Sequence, residues 1–139
     1  MAKKKSYLEH LARVPMFSAC SKRELELLAR RAEDLHVDEG AVLVKEGDSG
    51  REFFVIGEGK ARVSRAGKDL AVLGAGDFFG ELSLLDRAPR NATVTAQTPL
   101  DVFVLDERSF AGLLGEIPTL SQKLLVGMAR RLHDLDGRA

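Results

Sequence analysis

The sequence predicts an α+β fold: an antiparallel β-roll, of the double-stranded β-helix or jelly-roll kind, flanked by helices at both ends. Three observations carry that prediction. Helical periodicity occupies the two ends of the chain, and short β-branched or aromatic runs fill the middle. Eleven of the thirteen glycines fall between Gly40 and Gly115, mostly in the gaps between those runs, where positive φ is open to glycine and costly to other residues.

At the N-terminal end, Tyr7, Leu8 and Leu11 sit at helical spacing until Pro15 interrupts ahead of Met16-Phe17. Ser21 with Glu24 three residues on predicts a capping box, the hydroxyl on a backbone N–H and the carboxylate reaching back. Behind it Leu25, Leu28, Ala29 and Ala32 make one apolar face of a helix that ends near Ala32. Residues 6–32 are therefore the N-terminal helical part, and residues 33–106 the roll. Strands are expected at 41–44, 53–56, 61–64, 70–73, 92–96 and 100–105, the changed pattern starting at Leu35. Helix returns over 107–135: Asp106 stands where it can cap one bearing Phe110, Leu113 and Leu114, and Pro118 suits the first turn of another. Leu120, Leu124, Met128 and Leu132 recur every four residues along that last helix, and Leu125 and Leu135 broaden the stripe. With no linker, repeat or low-complexity stretch, the expectation is one domain over residues 1–139.

Composition narrows the function classes. Lys+Arg and Asp+Glu both number 21, a neutral balance that argues against a nucleic-acid partner, whose phosphates need a basic face. The one basic run, Lys3-Lys4-Lys5, reads as a solvated tail. Apolar runs of four or five residues are too short to span a membrane. No leader pattern opens the sequence and Cys20 is its single cysteine, so a reducing, cytoplasmic setting is expected. His10, His36 and His133 lack ligand spacing, so no metal is expected, and no nucleophile or general base set suggests an enzyme.

One segment, Asp77-Phe78-Phe79-Gly80-Glu81-Leu82-Ser83-Leu84-Leu85-Asp86-Arg87-Ala88-Pro89-Arg90-Asn91-Ala92-Thr93, departs from the strand pattern. It reads as a short strand, a short helix over 81–85, a proline-bent loop and another strand. Gly80 allows close backbone approach to a ligand, and free N–H groups at the start of the short helix would face an anion. Arg90, directed by Pro89, can fork two N–H bonds onto a phosphate. A carboxylate and an arginine nine residues apart thus suit a ligand with one phosphate and one hydroxyl. The bland alternative is a salt bridge of Glu81 and Arg90 to each other or to surface partners.

Phe79-Gly80-Glu81-Leu82-Ser83-Leu84-Leu85 followed by Pro89-Arg90-Asn91-Ala92-Thr93-Val94 closely resembles the phosphate-binding cassette, here residues 79–94, of the cyclic-nucleotide-binding family. The likeness extends to Val14-Pro15-Met16-Phe17-Ser18, to Lys45-Glu46-Gly47-Asp48 with Phe53-Phe54-Val55-Ile56, and to the run 100–105. The resemblance implies a non-catalytic sensor of cyclic AMP or cyclic GMP, with Gly80 at the close approach and Glu81 accepting from the ribose 2′-hydroxyl. It implies that Arg90 pairs with the cyclic phosphate and that backbone N–H groups near Leu82, Ser83 and Ala92 add donors. A side chain of the final helix covers the base in this family; Met128, Leu132 and His133 are the candidates, in a helix without Trp or Tyr. Asn91 departs from the Thr associated with cyclic GMP and from the Ala or Ser associated with cyclic AMP; the reading leans to cyclic AMP.

Other apparent motifs fail. Gly57-Glu58-Gly59-Lys60 lacks the flanking residues of a P-loop, and Gly74-Ala75-Gly76 reads as a turn. Phe53, Phe54, Phe78 and Phe79 read as core or pocket wall, and Cys20 as core. The leucine stripe of the last helix either packs on its own domain, or carries the output to an effector or to a second copy. Because the family usually continues into an effector beyond this point, the partner expected is a separate protein or a missing domain. A ligand-free interaction or dimerisation module on the same fold is the alternative function.

Overall fold

The computed structural model describes the backbone of residues 2–136 and the side chains of 7–134, so the Leu135 part of the stripe and the side chains of Lys3-Lys4-Lys5 lie outside the described residues. Helix α1 (Ala2–Arg13) leads through a 3-10 turn, Pro15–Phe17, to helix α2 (Lys22–Arg31). The capping box forms as expected: Ser21 Oγ accepts from Glu24 N at 3.1 Å, and Glu24 Oε1 accepts from Ser21 N at 2.9 Å. Eight strands follow: β1 (Glu33–Val37), β2 (Val42–Val44), β3 (Glu52–Glu58), β4 (Ala61–Arg65), β5 (Lys68–Leu73), β6 (Phe78–Phe79), β7 (Thr93–Ala96) and β8 (Leu100–Asp106). Helix α3 (Glu81–Asp86) interrupts them, and α4 (Glu107–Glu116) and α5 (Pro118–Asp136) close the chain. Asp106 caps α4 as expected, its Oδ1 accepting from Ser109 N at 2.7 Å.

All pairings are antiparallel, in two four-stranded sheets ordered β1-β8-β3-β6 and β2-β7-β4-β5. Strands β3 and β8 of the first sheet are covered on both faces, which explains why they read as unbroken apolar runs and not as an alternation. Along β3, Phe53 and Val55 point into a core shared with the helices, while Phe54 and Ile56 point into the roll. Strand β8 divides the same way, Phe103 and Leu105 to the helices, Val102 and Val104 to the roll. The two-residue strand β6 repeats the division: Phe78 joins the helical core and Phe79 stacks on Phe54 inside the roll, ring centroids 4.7 Å apart. The chain entering Gly80 is thereby gripped from both sides. Cys20 packs at the edge of the helical core, as expected, and burial raises its thiol pKa.

One element is missing from the expected strand set. Strand β1 pairs with β8 from Glu33↔Val104 to Val37↔Leu100, yet its Glu-Asp-Leu-His-Val sequence lies at a sheet edge and offers no apolar alternation. Backbone pairing with an apolar neighbour, and not its own side chains, makes it a strand.

Candidate ligand-binding site

The segment from Asp77 to Thr93 folds as the sequence suggested: the β6 strand, a left-handed Gly80 at φ 95°, helix α3, and a proline loop into β7. Gly80 is required by its surroundings, since a Cβ there would stand 2.7 Å from the Glu52 carbonyl oxygen and 2.9 Å from an Arg90 nitrogen. Three polar side chains in the segment are buried: Glu81, Ser83 and Arg90. Leu82 and Asn91 are exposed, and Ala92 is buried just ahead of β7.

Arg90 and Glu81 do not pair with each other; each is held by something else. The Arg90 guanidinium donates to the Gly80 carbonyl at 2.8 Å and to the Glu52 carbonyl at 2.7 Å. Gly50 lies directly across it, so closely that a Cβ would collide with the guanidinium. The same turn is fastened to the Arg90 backbone, Gly47 N donating to Arg90 O and Arg90 N donating to Asp48 O, both at 2.8 Å. Behind it, Arg65 Nε donates to the Asn91 carbonyl at 2.7 Å. Two of the five guanidinium donors are occupied by carbonyls. Burial lowers the Arg90 pKa from its ordinary value, and nearby Glu52 and Glu81 oppose that shift.

Glu81 is 2% exposed and bonds to Arg131 on α5, which donates to Glu81 Oε1 at 2.6 Å. Burial raises the Glu81 carboxyl pKa, and the charge of Arg131 is the largest influence opposing it. Arg131 also donates to the Phe78 carbonyl and lies over the Phe78 ring, 4.4 Å from its centroid. Sequence reasoning did not single out Arg131. The available signal was Gly127 one turn earlier, a poor helix former in the middle of a long helix; it marks a close approach, and here a Cβ would collide with the Phe78 ring.

The lid candidates are dispersed along α5. Met128 packs partly buried against the helical core, whereas Leu132 is 67% exposed and His133 is also exposed. The adjoining concave surface is a polar cleft of about 240 Å³ between Ser49–Arg51 on one side and Ser83, Arg87 and Pro89 on the other; neither Glu81 nor Arg90 lines it. Among the described residues, no group of three or more His, Cys, Asp or Glu could hold a metal, and no helix is long and apolar enough to cross a membrane.

Residues 34–116, more than half of the chain, match the family described as the cyclic nucleotide-binding domain. The chain belongs to that family. Among curated relatives, the cAMP-dependent protein kinase regulatory subunit of Schizosaccharomyces pombe is 36% identical over 110 residues, 78% of this chain and 27% of the relative. Among solved structures, a second cyclic-nucleotide-binding domain of a protein kinase A regulatory subunit, bound to Sp-2Cl-cAMPS, is 32% identical with a TM-score of 0.79, covering 97% of this chain and 92% of that one. The Thermus thermophilus catabolite activator protein is 28% identical with a TM-score of 0.77, covering 89% and 61%. The cyclic-nucleotide-binding domain described here thus spans between about a quarter and a third of the length of the curated relatives it matches.

Proposed function

We propose that this domain binds cyclic AMP at the Gly80–Ala92 cassette and works as a sensor, with no catalysis of its own. The observation that carries the reading is the preset state of Arg90. Its guanidinium is oriented by two backbone carbonyls, beside a buried carboxylate nine positions earlier. Glu81 is taken by Arg131, so Arg90 and Glu81 do not neutralise each other. In the proposed complex Arg90 donates to the cyclic phosphate together with backbone N–H groups near Leu82, Ser83 and Ala92. Glu81 accepts from the ribose 2′-hydroxyl, and Asn91, exposed at the mouth, tunes the choice of base. Leu132 is the lid candidate whose exposure leaves it free to cover that base.

A relative described with a bound cyclic AMP analogue supports that ligand, with cyclic GMP second. The output runs through the terminal helices to an effector protein or domain, or to a second copy docking on the exposed Leu125, Val126 and Leu132 of α5. The whole chain acts as one domain, and its neutral charge balance suits a cytoplasmic protein without nucleic-acid contact.

Calorimetric titration with cyclic AMP, cyclic GMP and 5′-AMP tests the reading. Micromolar or tighter binding of cyclic AMP, with 5′-AMP rejected for its extra charge and bulk, is expected. Equal affinity for linear and cyclic nucleotides would refute the site. Folded protein that binds neither cyclic nucleotide would instead be a ligand-free interaction module.

A further inference from the structure

We propose that Arg65, at the end of β4, is a positioning residue for phosphate recognition: by holding the Asn91 carbonyl it aims the Ala92 N–H of the same peptide group at the ligand's phosphate. The inference rests on the binding reading above and adds to it a side chain from outside the cassette.

Arg65 Nε donates to the Asn91 carbonyl oxygen at 2.7 Å. That oxygen and the Ala92 N–H belong to one peptide group. No peptide bond among the described residues is cis, and a trans peptide is planar, with its C=O and N–H pointing in opposite directions. Whatever fixes the carbonyl therefore fixes the N–H, and directs it away from Arg65. That N–H needs an acceptor. Ala92 is only 7% exposed, just ahead of β7, and its N–H reaches no acceptor among the described residues. An orphaned buried N–H is rare in a folded chain, because it costs about as much as a lost hydrogen bond. This one stands two residues after Arg90, and a bond from it to a phosphate oxygen would be charge-assisted.

The neighbours make the hold firm. Strands β4 and β7 pair as far as Ser64↔Thr93, which sets Arg65 and Ala92 side by side just past the last paired residues. Glu46 braces both chains: its Oε1 accepts from Ala66 N, and its own N–H donates to Thr93 Oγ1, each at 3.0 Å. The next residue, Gly47, takes the Arg90 carbonyl at 2.8 Å. Arg65 is exposed and makes no ion pair among the described residues, so the Asn91 carbonyl is what directs its guanidinium. An exposed bond of this kind adds little to folding, so its loss should register in ligand affinity before it registers in stability.

The test is calorimetry of cyclic AMP and of its two phosphorothioate diastereomers on the wild-type chain, Arg65→Ala, Arg65→Lys and Arg62→Ala, with melting curves to establish folding. In each diastereomer sulfur, a weak acceptor, replaces one of the two exocyclic phosphate oxygens. Arg65→Ala is expected to weaken cyclic AMP by about tenfold, the worth of one hydrogen bond to a charged group. The sulfur penalty should shrink by about the same factor for one diastereomer, the one whose sulfur faces the Ala92 N–H, and stay unchanged for the other. Arg65→Lys, which can reach the carbonyl without the fixed geometry of Nε–H, should restore part of the affinity. Arg62→Ala removes an exposed β4 arginine paired with Asp69 and should bind as the wild-type chain does. The loss in Arg65→Ala should persist at about 0.5 M salt, where attraction between an exposed charge and a distant phosphate is screened. A folded Arg65→Ala of wild-type affinity, a loss that vanishes in salt, or sulfur penalties unchanged for both diastereomers would each overturn the inference while leaving the binding reading intact. Failure of the wild-type chain to bind cyclic AMP overturns both.

Discussion

Gly80 and Arg90 are fitted to each other at atomic distance: the Gly80 carbonyl accepts from an Arg90 terminal nitrogen at 2.8 Å, and a Cβ on Gly80 would stand 2.9 Å from that nitrogen. Gly80→Ala therefore strikes twice. The left-handed backbone alone costs about 1–2 kcal/mol for an L-residue, and the guanidinium must also leave its two carbonyls. The expected result is a lower melting temperature together with loss of cyclic AMP binding. A variant of wild-type affinity would show that the arginine is not placed by these contacts.

The β4–β5 hairpin turns on Ala66 and Gly67, both at positive φ, 51° and 78°. A two-residue turn of this kind favours Asn-Gly or Gly-Gly, so alanine is the strained choice. Ala66→Asn is expected to stabilise the fold by about 0.5–1 kcal/mol, with ligand affinity unchanged as long as the neighbouring Arg65 keeps its bond to the Asn91 carbonyl. Denaturant titration reads the first quantity and calorimetry the second.

His36 Nδ1 lies 2.7 Å from Asp101 Oδ1 across the β1–β8 pair, and that hydrogen bond raises the His36 pKa above 6.5. A raised histidine stabilises the folded state fully below its unfolded value and loses that contribution as pH climbs through the folded one. Melting temperatures between pH 6 and 8.5 should therefore fall more for the wild-type chain than for His36→Gln. The effect is small, since His36 stands exposed. Parallel curves would mean that the pair does not form.

Burial pushes the Tyr7 phenol up to about 12, with Asp34 adding to the shift, and its hydroxyl has no hydrogen-bond partner among the described residues. Tyr7→Phe removes a buried donor that satisfies nothing. Stability should hold or rise, by at most about 1 kcal/mol. A loss of more than that would reveal a partner for the hydroxyl.

What could be read from the chain follows from where each residue sits. Strands β3 and β8 were legible because burial on both faces leaves continuous apolar runs, and α2 because Ser21 and Glu24 announce its start. Glu81 and Arg90 were legible because Gly80 and Pro89 set them in a local frame. Strand β1 was not, since its pairing partner lies some 65 residues away, as in His36 with Asp101. Arg131 was hidden for the same reason. It is one of two adjacent arginines on a leucine-striped helix, and only the fold brings it to Glu81, 50 residues earlier. Of the bland alternative, a salt bridge of Glu81 and Arg90 to each other or to surface partners, the mutual pairing is not formed, since two backbone carbonyls hold the arginine, while Glu81 does pair with the partly exposed Arg131.

The central claim is that Arg90 is held ready for a cyclic phosphate, and calorimetry of cyclic AMP on the wild-type chain beside Arg90→Ala tests it most directly. Removing the guanidinium leaves a desolvated phosphate unpaired, so a loss of about 2–5 kcal/mol in binding is predicted, a Kd raised by roughly thirty-fold to several thousand-fold. A folded Arg90→Ala variant that binds cyclic AMP as tightly as the wild-type chain would contradict the account.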